Sequence, residues 1–152
     1  MKILDACCGS RMFWYDKHES HTTYMDKRVE FERLPTGHLI DVKPDVQADF
    51  KHMPFSDCEF DLVVFDPPHL IKVGNNSWMF KKYGRLPDNW SEELKAGFDE
   101  CMRVLKPNGS LIFKWNEEQI KFGQVIQIFE QRPIFGDKRA KTRWSVFIKD
   151  GD

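Results

Sequence analysis

The sequence has no C-x-x-C pair, no G-x-G-x-x-G run and no apolar stretch near the ~20 residues that a membrane span needs. Each absence removes a class. The four cysteines are the adjacent Cys7 and Cys8 with Cys58 and Cys101 apart, a pattern that argues against structural zinc and against a disulfide framework. His18, His21, His38 and His52 share no ligand spacing with one another or with cysteine; they read as ordinary surface histidines, and no metal is expected. A charge excess is missing too. With 23 Lys and Arg against 24 Asp and Glu, net charge is -1, so any nucleic-acid partner has to be held by a local patch. The chain opens with a single Lys and the short run Ile3 to Cys8, too short for a secretory core, which points to a cytoplasmic protein without a membrane partner. Repeats, low-complexity tracts and linkers are absent.

What is present fits one globular domain. A chain of 152 residues, 41% hydrophobic and 31% charged, is of single-domain size. On ordinary surface scaling it buries roughly 69% of its unfolded surface, enough for one core without staples.

Short β-like runs alternate with helical ones, which predicts an α/β fold with a mostly parallel sheet and helices on both faces. The expected strands are Lys2 to Ala6, Thr22 to Met25, Val46 to Ala48, Phe60 to Phe65, Ser110 to Trp115, Pro133 to Phe135 and Trp144 to Lys149. Phe60 to Phe65 is apolar except for Asp61, as a strand buried on both faces should be, and is expected at the centre. A helix is predicted from Ser91 to Leu105, where Leu94, Phe98, Cys101, Met102 and Leu105 recur at helical spacing. The Lys106-Pro107-Asn108-Gly109 segment stops it. A second helix is predicted from Glu117 to Glu130. Leu70 to Trp90 follows neither period and reads as a long functional loop.

Three features carry chemistry. The first is Leu4-Asp5-Ala6-Cys7-Cys8-Gly9-Ser10, a strand running into a glycine turn, where open α/β sheets bind ligands. Arg11 and Met12 stand where a pyrophosphate needs bare backbone, so a ligand with adenosine but no phosphate fits better; a plain tight turn is the other reading. The second is the order of acids at strand ends. Asp26 can accept from both ribose hydroxyls, and Asp49 with Phe50 offers an adenine-amine acceptor and an aromatic wall, although such acids are often merely solvated. The third is Asp66-Pro67-Pro68-His69 after the most buried strand. Two prolines stiffen the bend and keep the Pro67 carbonyl out of a regular ladder. A rigid carbonyl beside a carboxylate gives two acceptors for one planar NH2 group. Two acceptors on its hydrogens favour a pyramidal nitrogen and stabilise the positive charge that grows as it attacks.

These residues together resemble the class I S-adenosylmethionine-dependent methyltransferases. The Asp5 to Ser10 turn, Asp26, Asp49-Phe50, Asp66 to His69 and Leu105 to Gly109 are most similar to the amino-methylating branch with a D-P-P-Y/H or N-P-P-Y signature. That branch includes N6-adenine DNA methyltransferases, and small single-domain phage and prophage members look nearest. The resemblance implies a Rossmann-like, seven-stranded, mostly parallel sheet whose last strand is antiparallel, and S-adenosyl-L-methionine as cofactor. It implies that Asp5, Ala6, Cys7, Gly9 and Ser10 line the methionine part, Asp26 the ribose, and Asp49 with Phe50 the adenine. Asp66 and Pro67 would hold the target amine, with Pro68 stiffening the bend and His69 stacking on a flipped or single-stranded base.

The chain departs from the pattern in three places: Arg11 replaces a second glycine, the first strand starts at Lys2, and three residues follow Lys149. The resemblance thus implies one methyltransferase domain over 1–152, without an N-terminal lid or a target-recognition domain, and a protein partner that supplies recognition. Lys81, Lys82 and Arg85, interleaved with aromatics, are candidate nucleic-acid contacts, as are Lys114, Trp115 and Asn116; core packing is the other reading for Trp115. Cys7 and Cys8 read as packing residues, with Cys7 touching cofactor. N6 of adenine in DNA is the first acceptor expected; N4 of cytosine, RNA, a protein amide or a non-catalytic cofactor-binding subunit are the alternatives. The sequence leaves the oligomeric state open.

Overall fold

A computed structural model describes residues 1–151. In chain order the elements are β1 (Ile3–Asp5), β2 (Thr22–Asp26), β3 (Glu30–Arg33), β4 (Leu39–Val42), β5 (Val46–Gln47), β6 (Phe60–Phe65), α1 (Trp78–Tyr83), α2 (Trp90–Val104), β7 (Leu105–Asn116), α3 (Phe122–Phe129), β8 (Phe135–Arg139) and β9 (Thr142–Ile148). Seven strands form one sheet in the order β5-β2-β1-β6-β7-β9-β8. The first five run parallel, and β9 is antiparallel to both β7 and β8, so the expected fold class holds.

β6 lies at the centre, between β1 and β7, as its apolar run predicts. Its residues Val63 and Phe65, with Leu111 and Phe113 of β7 and Phe147 of β9, are 0% exposed. Against this face α2 presents Leu94, Phe98, Cys101 and Val104, and α3 presents Val125 and Phe129. Phe98 stacks on Phe129 with centroids 4.2 Å apart, joining the two helices.

The opposite face is covered differently from the expected second layer of helices. There the segment after β1 lays Trp14 edge-on against Tyr24 and Phe13 edge-on against Trp144. Aromatic bulk from an irregular segment does the work of a helix, because residues 7–21 carry no helical apolar stripe.

Other boundaries differ from the sequence expectation for local reasons. α2 begins one residue earlier, at Trp90. α3 begins only at Phe122: the Lys121 N–H donates to Gln124 Oε1 at 3.2 Å and the Phe122 N–H to Glu117 Oε2 at 3.2 Å, fixing 117–121 as an entry loop. β7 starts at Leu105, and 106–109 loop out between the Phe60–Leu105 and Leu62–Ser110 pairs, with Asn108 at φ 65. β8 falls at Phe135–Arg139 instead of Pro133 to Phe135; all five residues are exposed, so no burial pattern marks them. The β3–β4 hairpin was not expected. It closes on its own small core of Leu34, Ile40 and Val42. Finally, the expected loop Leu70 to Trp90 contains α1, begun by Ser77 Oγ accepting the Met79 N–H at 3.2 Å and ended at Gly84, φ 77. It has no buried residue, hence no apolar period to read.

Among the described residues no helix is long and apolar enough to cross a membrane.

Candidate active site

The carboxyl ends of β1, β2, β5 and β6 open into one cavity of about 360 Å³, at the point where the sheet order reverses between β1 and β6. Ala6, Cys7, Gly9, Ser10, Asp26, Asp49, Phe50 and the whole bend Asp66, Pro67, Pro68 and His69 line it. Four separate stretches of chain therefore meet at one place because parallel strands all deliver their following loops to the same edge.

Asp26 ends β2 and is 7% exposed. Its Oδ2 accepts the Gly9 N–H at 2.8 Å and its Oδ1 the Arg28 N–H at 2.9 Å, which aims the carboxylate across the first turn. Gly9 itself sits at φ 49, a left-handed backbone that disfavours side chains, and a β-carbon there would meet nothing within 4 Å. Burial pushes the Cys8 thiol up to about 12 and the Cys7 thiol well up; both stay protonated.

Asp5 is placed apart from the other expected site residues. It is wholly buried behind the cavity wall, where Trp14 Nε1 donates to Oδ2 at 2.7 Å and the Cys7 N–H to Oδ1 at 3.3 Å. Burial raises its carboxyl to about 7, the Trp14 hydrogen bond opposes this, and the nearby charges of Asp66 and Asp26 add to it.

Asp49 Oδ1 accepts the Lys51 N–H at 2.9 Å, a local turn that leaves the other oxygen 3.7 Å from Lys51 Nζ. The Phe50 ring packs edge-on against Phe65, 5.4 Å between centroids, forming an apolar wall.

In the proline bend, Asp66 has one cation in contact, Lys114 Nζ at 3.5 Å from Oδ2, each side chain about a quarter exposed. Burial raises the Asp66 carboxyl to about 6, against the opposing pull of Lys114. Among the described residues no backbone N–H donates to the Pro67 carbonyl. His69, 9% exposed, lies 5.4 Å from Tyr83 and edge-on to Trp115 at 6.3 Å. Burial first, then Lys114, lower its imidazole to about 4, so it is neutral at pH 7.

The expected substrate contacts divide. Lys81, Lys82 and Arg85 reach the cavity, on and just after α1. Much of their polarity is already used: Lys81 Nζ pairs with Glu32 at 2.6 Å, Lys82 lies over Trp78 and Tyr83, and Arg85 donates to the Val73 carbonyl at 3.0 Å. Lys114, Trp115 and Asn116 do not line it. Trp115 is 1% exposed with its Nε1 donating to the Ile120 carbonyl at 2.9 Å, so it is a core residue backing His69. Asn116 Oδ1 accepts the Glu118 N–H at 2.9 Å, closing a turn.

Arg28 was missed. Its guanidinium donates to the Lys81 carbonyl at 2.9 Å and the Lys82 carbonyl at 3.4 Å, tying α1 to the strand end that carries Asp26. Its position two residues past Asp26 was the available signal. Glu30 and Glu93 also line the cavity and had none.

No family model matches the sequence, and no curated protein does. Solved structures do. The PH0226 protein of Pyrococcus horikoshii aligns with TM-score 0.65 and 14% identity over 98% of this chain and 83% of that one. A TehB-like SAM-dependent methyltransferase of Corynebacterium glutamicum gives 0.54 and 15% over 98% and 79%. The cyclase SpnF gives 0.60 and 11% over 99% and 75%. The chain therefore has the Rossmann-like fold of S-adenosylmethionine-dependent methyltransferases. A cyclase among the neighbours means that the reaction has to be argued from the site.

Proposed function

We propose that this chain is a single-domain methyltransferase that moves a methyl group from S-adenosyl-L-methionine to an exocyclic amino nitrogen, with N6 of adenine in DNA as the first acceptor. The observation that carries the reading is that the Asp66 to His69 bend and the Gly9, Asp26 and Phe50 groups line one cavity. An amine acceptor pair and a nucleoside-binding wall face the same space.

The residues present fit the cofactor. Asp26 offers a buried carboxylate with free lone pairs for ribose hydroxyls, Phe50 an apolar wall for a purine, and Gly9 a side-chain-free approach. When bound, S-adenosyl-L-methionine supplies a methyl group on a sulfonium.

The protein's part is to prepare the amine. Ionised Asp66 and the Pro67 carbonyl accept its two N–H hydrogens, drawing the lone pair out of conjugation and stabilising the positive charge that develops. Neutral His69 and Tyr83 offer ring faces beside that point, suited to a base turned out of its stack. Fixing the nitrogen in line removes much of the entropic barrier. With Lys81 tied to Glu32, α1 has few free cations to hold a duplex, which favours target recognition by a protein partner.

Labelled-cofactor assays on DNA, RNA and protein, with mass spectrometry of nucleosides from expressing cells, test this against an Asp66→Ala control. N6-methyladenine that depends on Asp66 supports it; methyl transfer to oxygen or ring carbon sinks it. Methylation of cytosine N4, RNA or a protein amide would keep the amine clamp and change the acceptor.

A further inference from the structure

Three carboxyl groups gather at the proposed amine clamp, one of them the clamp's own Asp66. Asp5 ends β1, Asp26 ends β2 and Asp66 follows β6, and the charges of Asp26 and Asp66 both bear on Asp5. A clamp that accepts from an amine needs Asp66 as carboxylate, yet burial favours its protonation, which would turn one acceptor oxygen into a donor. One cation reaches it. Lys114 on β7 places Nζ 3.5 Å from Asp66 Oδ2.

That ammonium is itself confined. It lies 5.4 Å from the Phe13 ring centroid and 5.6 Å from that of Trp144, two rings that meet edge to face at 5.5 Å. Cation–π attraction on these rings steadies it without neutralising it. Since Lys114 does not line the cavity, it is poorly placed to grip a phosphate.

We propose that Lys114 is a positioning residue that acts through the clamp, holding Asp66 ionised as an acceptor. This rests on the amino-methyltransferase reading above for its purpose, though its physical content stands on geometry alone. The charged groups facing the pair are Asp5 from β1, with Asp26 beyond it, and Glu118 after β7, which acts on His69 in the opposite sense to Lys114. From β9 and the segment after β1 the neighbours are the uncharged Trp144 and Phe13.

Carbon-13 titration of the Asp66 carboxyl, on the whole protein, tests it. Lys114→Met should move the Asp66 midpoint upward by about one pH unit or more, the range for losing a contacting opposite charge. Lys114→Arg should restore it. If the Met variant fails to fold, Lys114→Gln, with an uncharged polar tip over the same rings, carries the same expectation. An unmoved Asp66 midpoint in a folded Met or Gln variant overturns the proposal.

The kinetic arm separates this from the underlying reading. The acid limb of kcat/KM should follow the Asp66 midpoint upward in Lys114→Met, with KM for cofactor unchanged; a raised substrate KM with an unmoved limb would make Lys114 a substrate contact instead. A shifted Asp66 midpoint in a protein that methylates no amine would leave the electrostatic role standing and remove the proposed activity.

Discussion

Gly97 in α2 leaves the space that the Phe50 ring fills: a β-carbon at position 97 would stand 2.6 Å from Phe50 Cε2 and 2.7 Å from Phe65 Cζ. Both rings must give, and since Phe65 is wholly buried between the sheet and the helices, the Phe50 ring at the cavity edge takes the larger movement. Gly97→Ala should therefore push it into the space proposed for the adenine. Overpacking costs about 1 to 3 kcal/mol, offset by ~0.5 to 1 kcal/mol of helix propensity. We expect a small net loss of stability by urea titration and a clear loss of S-adenosylhomocysteine affinity by calorimetry. Unchanged affinity would remove Phe50 from the cofactor wall.

Arg28 should matter most to α1, although it also pairs with Asp26 and Glu30. α1 buries no residue, and its links to the fold include Arg28 on the Lys81 and Lys82 carbonyls and the Lys81–Glu32 pair. Replacing Arg28 by Met should raise hydrogen exchange in residues 78–84 while α2 and β6 amides stay protected, because sparsely packed segments open locally. Equal exchange in α1 of both proteins would show that this tether is not what holds it.

How much of this was legible in the sequence depended on whether burial left a period. β6, whose apolar run sits between two strands, was read with both its ends correct, and α2 to within a residue, since each buries a continuous face. α1 and β8 bury nothing and left no pattern. The β3–β4 hairpin had a signal that went unread: Ile40 and Val42 alternate with exposed residues, and Gly37 sits in the turn at φ 87. That Asp26 and Asp66 line the cavity was legible from their places at and just after strand ends. Asp5 also ends a strand yet faces the wall, and Trp115 took the core side of its two readings, because which way such a side chain points depends on packing across the sheet.

The acidity of Asp66 gives a pH dependence to activity. With its carboxyl at about 6 in the free protein, kcat/KM should rise with pH through that region as the acceptor form fills. Asp66→Asn keeps one acceptor oxygen and cannot titrate, so the acid limb should vanish while the rate falls about ten-fold, the difference between a charged and a neutral hydrogen bond of ~1.4 kcal/mol. A retained limb at pH 6 in that variant would assign it to another group.

Asp5 should set the pH dependence of stability. Its carboxyl is at about 7 when folded, against an ordinary 3.8, so between those values the folded protein binds more protons than the unfolded chain. Stability then falls as pH rises from about 4 to about 7 and is level above, a loss on the order of 4 kcal/mol at 1.36 kcal/mol per unit. Asp66 contributes in the same direction over a narrower window, ending at about 6, and His69, lowered to about 4 from an ordinary 6.5, opposes both between those values. Asp5→Asn retains an oxygen for Trp14 Nε1 and removes the charge, so urea unfolding across pH 4 to 7 should show a flatter profile than the native sequence. The Trp14 hydrogen bond draws the carboxyl the other way, so Trp14→Phe should extend the native decline above pH 7 at unchanged slope; a decline that instead ended below pH 7 would mean that this hydrogen bond does not favour the carboxylate.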